Sequence, residues 1–143
     1  VLFGFVADKT GGAILTTITC IGLAIGATML VTMGLVAPTS MAQFPMFVTV
    51  ILALFFFTGM GNAATFRQFP IIFGHNPRQA AGVIGWTAAI AAYGPFVFAT
   101  IIGAVISASG NAKAFFVGLL VFIIIATSIN WYFYNRKDCE KPS

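Results

Sequence analysis

Polar residues are rare along this chain and fall in clusters, separating four long apolar runs. A bilayer-crossing helix needs about 20 predominantly apolar residues, and the runs at 13–36, 47–73, 80–108 and 114–134 each meet that length. ADKTGG precedes the first run, and APTSMAQFP, GHNPRQ and SASGNAK separate the others, each rich in Gly, Pro, Ser or Asn, the residues that end helices and form turns. The pattern predicts an all-α polytopic membrane protein with short connectors and no separate soluble domain. Residues 135–143 form a polar tail.

Composition fits that reading. The 143 residues are 59% hydrophobic and 7% charged, with a mean hydropathy of +1.01, well beyond a soluble domain. The net charge of +4 is too sparse for a nucleic-acid surface, and it bears on topology instead. Along a four-span zigzag Lys9, Arg78, Arg136, Lys137 and Lys141 fall on one side and Lys113 on the other. Lys and Arg of short loops stay cytoplasmic, so both chain ends are expected there. Trp131, Tyr132 and Tyr134, just before Arg136 and Lys137, are placed as an interfacial aromatic belt.

Cys20 and Cys139 have neither disulfide-framework nor metal-ligand spacing, and no cofactor or metal is expected. The opening VLFGFVADKTGG lacks the parts of a signal peptide and reads as the end of a hydrophobic helix. A fragment of a longer membrane protein is expected.

At about 100° per residue, Gly82, Gly85, Ala89 and Ala92 share one face of the third span, and Val83, Trp86, Ile90, Tyr93 and Val97 the other. A smooth face suits close helix packing or a narrow path lined by backbone. Gly94 and Pro95 are expected to bend this helix. In the first span Gly22 and Gly26 form a small-xxx-small pair that lets a neighbouring helix approach.

The second span carries Thr58, Asn62 and Thr65 within about 60° of one another, beside Gly59 and Gly61. In lipid such a stripe serves either a hydrated path or interhelical hydrogen bonds. Arg67 lies about 140° round from Asn62 and about 9 Å along the axis from Phe73, which is within snorkelling reach of the interface. A gate ion pair and anion attraction at the cytoplasmic mouth are the alternatives. Upstream, Gly4, Asp8, Lys9, Gly11 and Gly12 form G-x-x-x-D-K-x-G-G at a helix–turn–helix junction, where the glycines permit the turn and Asp8 can stabilise a helix N-terminus, either as a clamp that opens with helix movement or as a solvated turn with no gating role.

GFVADKTGG resembles the cytoplasmic-loop motif of the major facilitator superfamily, in its form between helices 8 and 9. GMGNAATFRQFPIIF followed by GVIGWTAAIAAYGPF resembles helices 10 and 11 of the nitrate/nitrite porter family. Together the resemblance runs from Gly4 to about Lys137. It implies that the spans are helices 9 to 12 of a twelve-helix carrier, within its C-terminal six-helix half, with Val1 at the end of helix 8. It further implies nitrate and nitrite as transported ions, the remaining helices of the carrier as partners, and a multi-pass place in the cytoplasmic (inner) membrane.

A Gly-rich nitrate signature of the family corresponds here to Gly85 through Gly94 and Pro95. Ala91 stands where relatives can carry Gly, and Ala13 where the general loop motif tends to place a basic residue. The family's nitrate clamp, two arginines on helices 2 and 8, lies outside this chain, and Arg67 is not one of them. The implied mechanism is alternating access, as nitrate/nitrite exchange or nitrate/proton symport, with no catalytic residues. The candidate path residues are Thr58, Gly61, Asn62, Thr65, Gly85, Ala89 and Gly94. The gate motif is Gly4, Asp8, Lys9, Gly11 and Gly12, and Arg67 lies at the cytoplasmic mouth.

Three other readings compete. Another anion carrier of the superfamily would share the loop motif without needing the glycines of the second and third spans. A four-helix multidrug exporter would match in length but needs a membrane-embedded acid, and no Asp or Glu falls within the spans. A non-transporting helical subunit would use the glycines and polar residues for packing alone.

Overall fold

The computed structural model describes residues 9–138, and among these all regular structure is helical. Helix α1 spans Gly12–Thr32, α2 Phe44–Ile72, α3 Pro77–Ser109 and α4 Lys113–Asn130. A 3-10 turn, Met41–Gln43, leads into α2, and a single π turn, Trp131–Asn135, continues α4. All four helices are long and apolar enough to cross a membrane.

Helix α1 stops at Thr32, short of Val36, although the sequence stays apolar. Gly34 adopts φ 68°, a left-handed geometry that glycine takes without steric penalty. The Gly34 N–H donates to the Val31 carbonyl at 3.4 Å and the Leu35 N–H to the Leu30 carbonyl at 3.1 Å. This paired closure satisfies carbonyls that a helix end leaves open, and it is accompanied by an apolar contact across the turn. Leu30 and Leu35 supply that contact, both buried in a cluster with Val50 of α2.

Helix α3 starts where Asn76 Oδ1 accepts the Gln79 N–H at 3.2 Å and Pro77 opens the helix, a position where a missing N–H costs nothing. It then runs unbroken through Pro95 to Ser109. Proline leaves the carbonyl four residues upstream without its helical donor, which here is Ala91.

Helix α1 is the centre of the bundle and packs against both α2 and α4, whereas α3 touches α2 and α4 only lightly. Glycines explain how closely α1 and α2 approach. A Cβ on Gly22 would run into the Phe57 ring, and one on Gly26 into the Leu54 side chain. The Gly22/Gly26 pair is therefore a packing surface, as close approach in lipid requires. Only Ala80 of α3 is buried, so the long third helix borders the bundle without entering it.

Candidate transport path and gate

Chain direction alternates from helix to helix, so Gly12, Gln68, Pro77 and Asn130 gather at one end of the bundle. Gln68 marks that end, because a Cβ on Gly12 would lie 2.6 Å from its Cγ and its amide bonds Asn130. Lys9, Arg78, Arg136 and Lys137 are exposed at this end, and Lys113 is exposed at the other.

Gly4 and Asp8 of the loop motif lie outside the described residues. The part that is described is a junction built on two different uses of glycine. Gly11 has φ 86°, which L side chains rarely adopt, and its carbonyl accepts the Leu15 N–H at 3.3 Å to start α1. At Gly12 the constraint is space, since a Cβ would stand 2.9 Å from the Ala64 carbonyl oxygen, a backbone atom that cannot swing aside. Ala13 is buried, so a basic side chain there has no room. Lys9 is exposed.

Beneath this junction lies a polar cluster that the pattern of the sequence does not single out. Gln68 Nε2 donates to Asn130 Oδ1 at 3.2 Å. Asn130 Nδ2 donates to the Ala13 carbonyl and to Thr17 Oγ1, each at 3.0 Å. Asn135 Nδ2 also donates to Thr17 Oγ1, at 3.2 Å, and the Thr17 hydroxyl passes its own proton to the Ala13 carbonyl at 3.0 Å. Thr17 thus uses its one donor and both acceptor sites. The π turn makes the arrangement possible. Residues five apart on an α-helix sit about 140° apart around the axis, whereas closing the turn from the Arg136 N–H to the Trp131 carbonyl, at 2.9 Å, brings Asn135 back over Asn130. Three helices are joined at one point, each by side chains whose bonds would otherwise be lost in hydrocarbon.

The α2 stripe divides. Thr58 and Asn62 are exposed and Thr65 is half-buried. The Thr58 hydroxyl donates to the Leu54 carbonyl at 2.7 Å and the Thr65 hydroxyl to the Gly61 carbonyl at 2.9 Å. Both protons are thereby engaged by the helix itself. Asn62 makes no side-chain hydrogen bond among the described residues, and it keeps two N–H donors for whatever faces this side of α2. Gly61, a candidate path residue beside the stripe, is in contact with α1: a Cβ there would lie 2.6 Å from Thr19 Cγ2. Arg67 is half-buried beside Gln68, at the cation-bearing end and away from the Asn62 face.

On α3, Gly85 and Ala89 are exposed and Gly94 is half-buried. A Cβ on Gly82, Gly85 or Gly94 would meet no atom within 4 Å. The bulky side is uncovered too, with Trp86, Ile90, Tyr93 and Val97 all exposed. Among the described residues the smooth face thus packs against nothing, in contrast to the occupied glycines of α1. Sequence reading identified both faces and missed this contrast, because periodicity sorts residues by face without showing which face is filled.

No family model matches the chain, and no solved structure matches it. Curated sequences do. The chain is 53% identical over 142 residues to a protein of Thermus thermophilus named as a probable nitrate/nitrite antiporter, NarK2, a match that covers 99% of this chain and 31% of the relative. It is 28% identical over 154 residues to the nitrate/nitrite transporter NarU of Escherichia coli K12, and 27% identical over the same length to NarU of Salmonella typhimurium. Each of these two matches covers 94% of the chain and 33% of the relative. The chain spans about a third of the length of the curated relatives it matches. All three are named as transporters or antiporters and none as an enzyme. The similarity to these proteins runs along nearly the whole length of the chain.

Proposed function

We propose that this homologue of nitrate/nitrite porters is the C-terminal part of a major facilitator carrier that moves nitrate and nitrite across the cytoplasmic membrane by alternating access. One observation carries the proposal: 53% identity sustained over 99% of the chain with a relative named as a nitrate/nitrite antiporter. The geometry supports it. Three helices are tied by glycine packing and the Gln68–Asn130 cluster, which suits a body that moves as a unit. Helix α3 presents two uncovered faces to helices of the remaining carrier or to the path.

Nitrate is a planar anion and is held by N–H donors. In this chain Asn62 offers such donors on the open side of α2, and the smooth α3 face of Gly85 and Ala89 lets backbone approach a small ion. The arginine clamp that the family resemblance implies lies elsewhere in the carrier. Placing the cation-bearing end in the cytoplasm puts the loop junction, Arg67 and the C-terminus there, so the polar cluster lies beneath the cytoplasmic gate. Exchange is the form of transport favoured by the name of the relative with the higher identity.

The test uses the full-length protein in proteoliposomes. Uptake of labelled nitrate is measured with nitrite inside, with an empty lumen, and with an imposed proton gradient. Nitrite-stimulated uptake supports exchange, gradient-driven uptake supports symport, and no nitrate or nitrite flux under any condition refutes the assignment.

A further inference from the structure

We propose that the groove between α1 and α4 binds an anionic phospholipid, with one acyl chain in the groove and the phosphate held at Arg136. The groove is open along one side and offers about 630 Å3. Its walls are formed by Ile21 and Ala24 of α1 and by Ile123 and Ile124 of α4, and Trp131 and Tyr132 close one end.

Three aliphatic hydroxyls also line it, from Thr17, Thr127 and Ser128, and each is engaged within its own helix. Thr127 donates to the Ile123 carbonyl at 2.7 Å, Ser128 to the Ile124 carbonyl at 2.8 Å and Thr17 to the Ala13 carbonyl at 3.0 Å. With these protons engaged by helix backbone, the wall presents methyl and methylene groups. It solvates hydrocarbon better than a polar solute. From Ile124 to Tyr132 the groove runs about 12 Å along the helix axis, a length suited to an acyl chain entering from the interface.

The aromatic end fixes the depth and the head. Trp and Tyr settle at headgroup level, and the Arg136 guanidinium carbon stands 4.6 Å from the centre of the Tyr132 ring. Stacking holds the planar cation at the mouth, and among the described residues no carboxylate pairs with it. A guanidinium so placed offers paired N–H donors to a phosphate, with Lys137 adding charge beside it. Basic pockets between spans at a cytoplasmic face are suited to anionic headgroups. The same charge argues against a second copy of the chain as occupant. Copies in one membrane share an orientation, so each would bring Lys9, Arg78, Arg136 and Lys137, offset among the described residues by Asp138 alone, to the same level, and this net positive charge repels the other copy.

The inference does not depend on which ion is transported. Phosphatidylglycerol and phosphatidylcholine are titrated separately onto the full-length protein in detergent, and bound lipid is counted by native mass spectrometry. Phosphatidylglycerol is expected to bind at least tenfold more tightly than phosphatidylcholine. Arg136→Gln removes that preference, and Ala24→Leu, which narrows the groove, weakens both lipids at least fivefold while Ala24→Ser does not. Equal affinity for the two lipids overturns the proposal, as does a preference that survives Arg136→Gln, binding indifferent to Ala24→Leu, or recovery of a dimer in place of the lipid-bound protein.

Discussion

Gln68 Nε2 donates to Asn130 Oδ1 across 3.2 Å, joining α2 to α4 where the two side chains are only 6% and 7% exposed. The bond matters less as an isolated pair than as part of a closed set, since Asn130 passes both of its own N–H protons to α1. Truncating one member leaves the others buried without partners, which costs about 1–3 kcal/mol. Asn130→Leu is therefore expected to lower the thermal stability of the full-length protein in detergent. Adding Gln68→Leu should cost less than the two single effects combined, with a coupling of about 0.6–1.7 kcal/mol. Strict additivity in a double-mutant cycle followed by size-exclusion melting would remove the cluster as a structural unit.

The glycines predict two separable kinds of damage. Gly22→Leu forces a side chain into the Phe57 ring, and overpacking of this sort costs about 1–3 kcal/mol or more. It should reduce the amount of folded protein recovered from membranes. A Cβ on Gly85 meets no atom of the described residues within 4 Å, so for Gly85→Leu insertion and yield should hold while nitrate uptake is lost. Uptake at the normal rate by the Gly85 variant would return the smooth face of α3 to lipid contact or plain packing.

How far the sequence carried depended on what each feature physically requires. Span lengths need only a count of apolar residues, and the Gly22/Gly26 contact needs only spacing, so both were legible. The stop at Gly34 was marked by a residue type, yet the surrounding apolar run concealed it. Gly61 reads as a path residue because it adjoins Asn62, while its contact with Thr19 depends on how α1 sits against α2. The cluster of Gln68, Asn130, Asn135 and Thr17 draws on residues more than one hundred positions apart and on a π turn. No local periodicity announces either.

Thr19 supplies a test of the α1–α2 contact that does not involve transport. Among the described residues its hydroxyl is enclosed without a hydrogen-bond partner, while its methyl group faces Gly61. Thr19→Val keeps the branched shape and deletes the polar atom. Replacing an unpaired buried hydroxyl should be neutral or stabilising, by up to about 1–2 kcal/mol, whereas Thr19→Leu overfills the site. A melting temperature that falls for Thr19→Val would mean that the hydroxyl is bonded in the assembled carrier.

Asn62 and Thr58 lie on one exposed side of α2 and differ in what they have left to offer. The Thr58 proton is already given to the Leu54 carbonyl at 2.7 Å, so Thr58→Val removes little that a passing anion could use. The Asn62 amide has both N–H groups uncommitted among the described residues, and a donor aimed at a charged ligand contributes about 1.5–3 kcal/mol. At about 1.4 kcal/mol per tenfold change, Asn62→Ala should raise the KM for nitrate roughly tenfold or more in proteoliposomes, with Thr58→Val within about twofold of wild type. Asn62→Asp should be worse than Asn62→Ala, because it sets a carboxylate against an anion, and that order separates ligand contact from packing. If Asn62→Ala and Asn62→Asp instead lose stability together and leave KM unchanged in the protein that survives, Asn62 bonds a neighbouring helix and the stripe is structural.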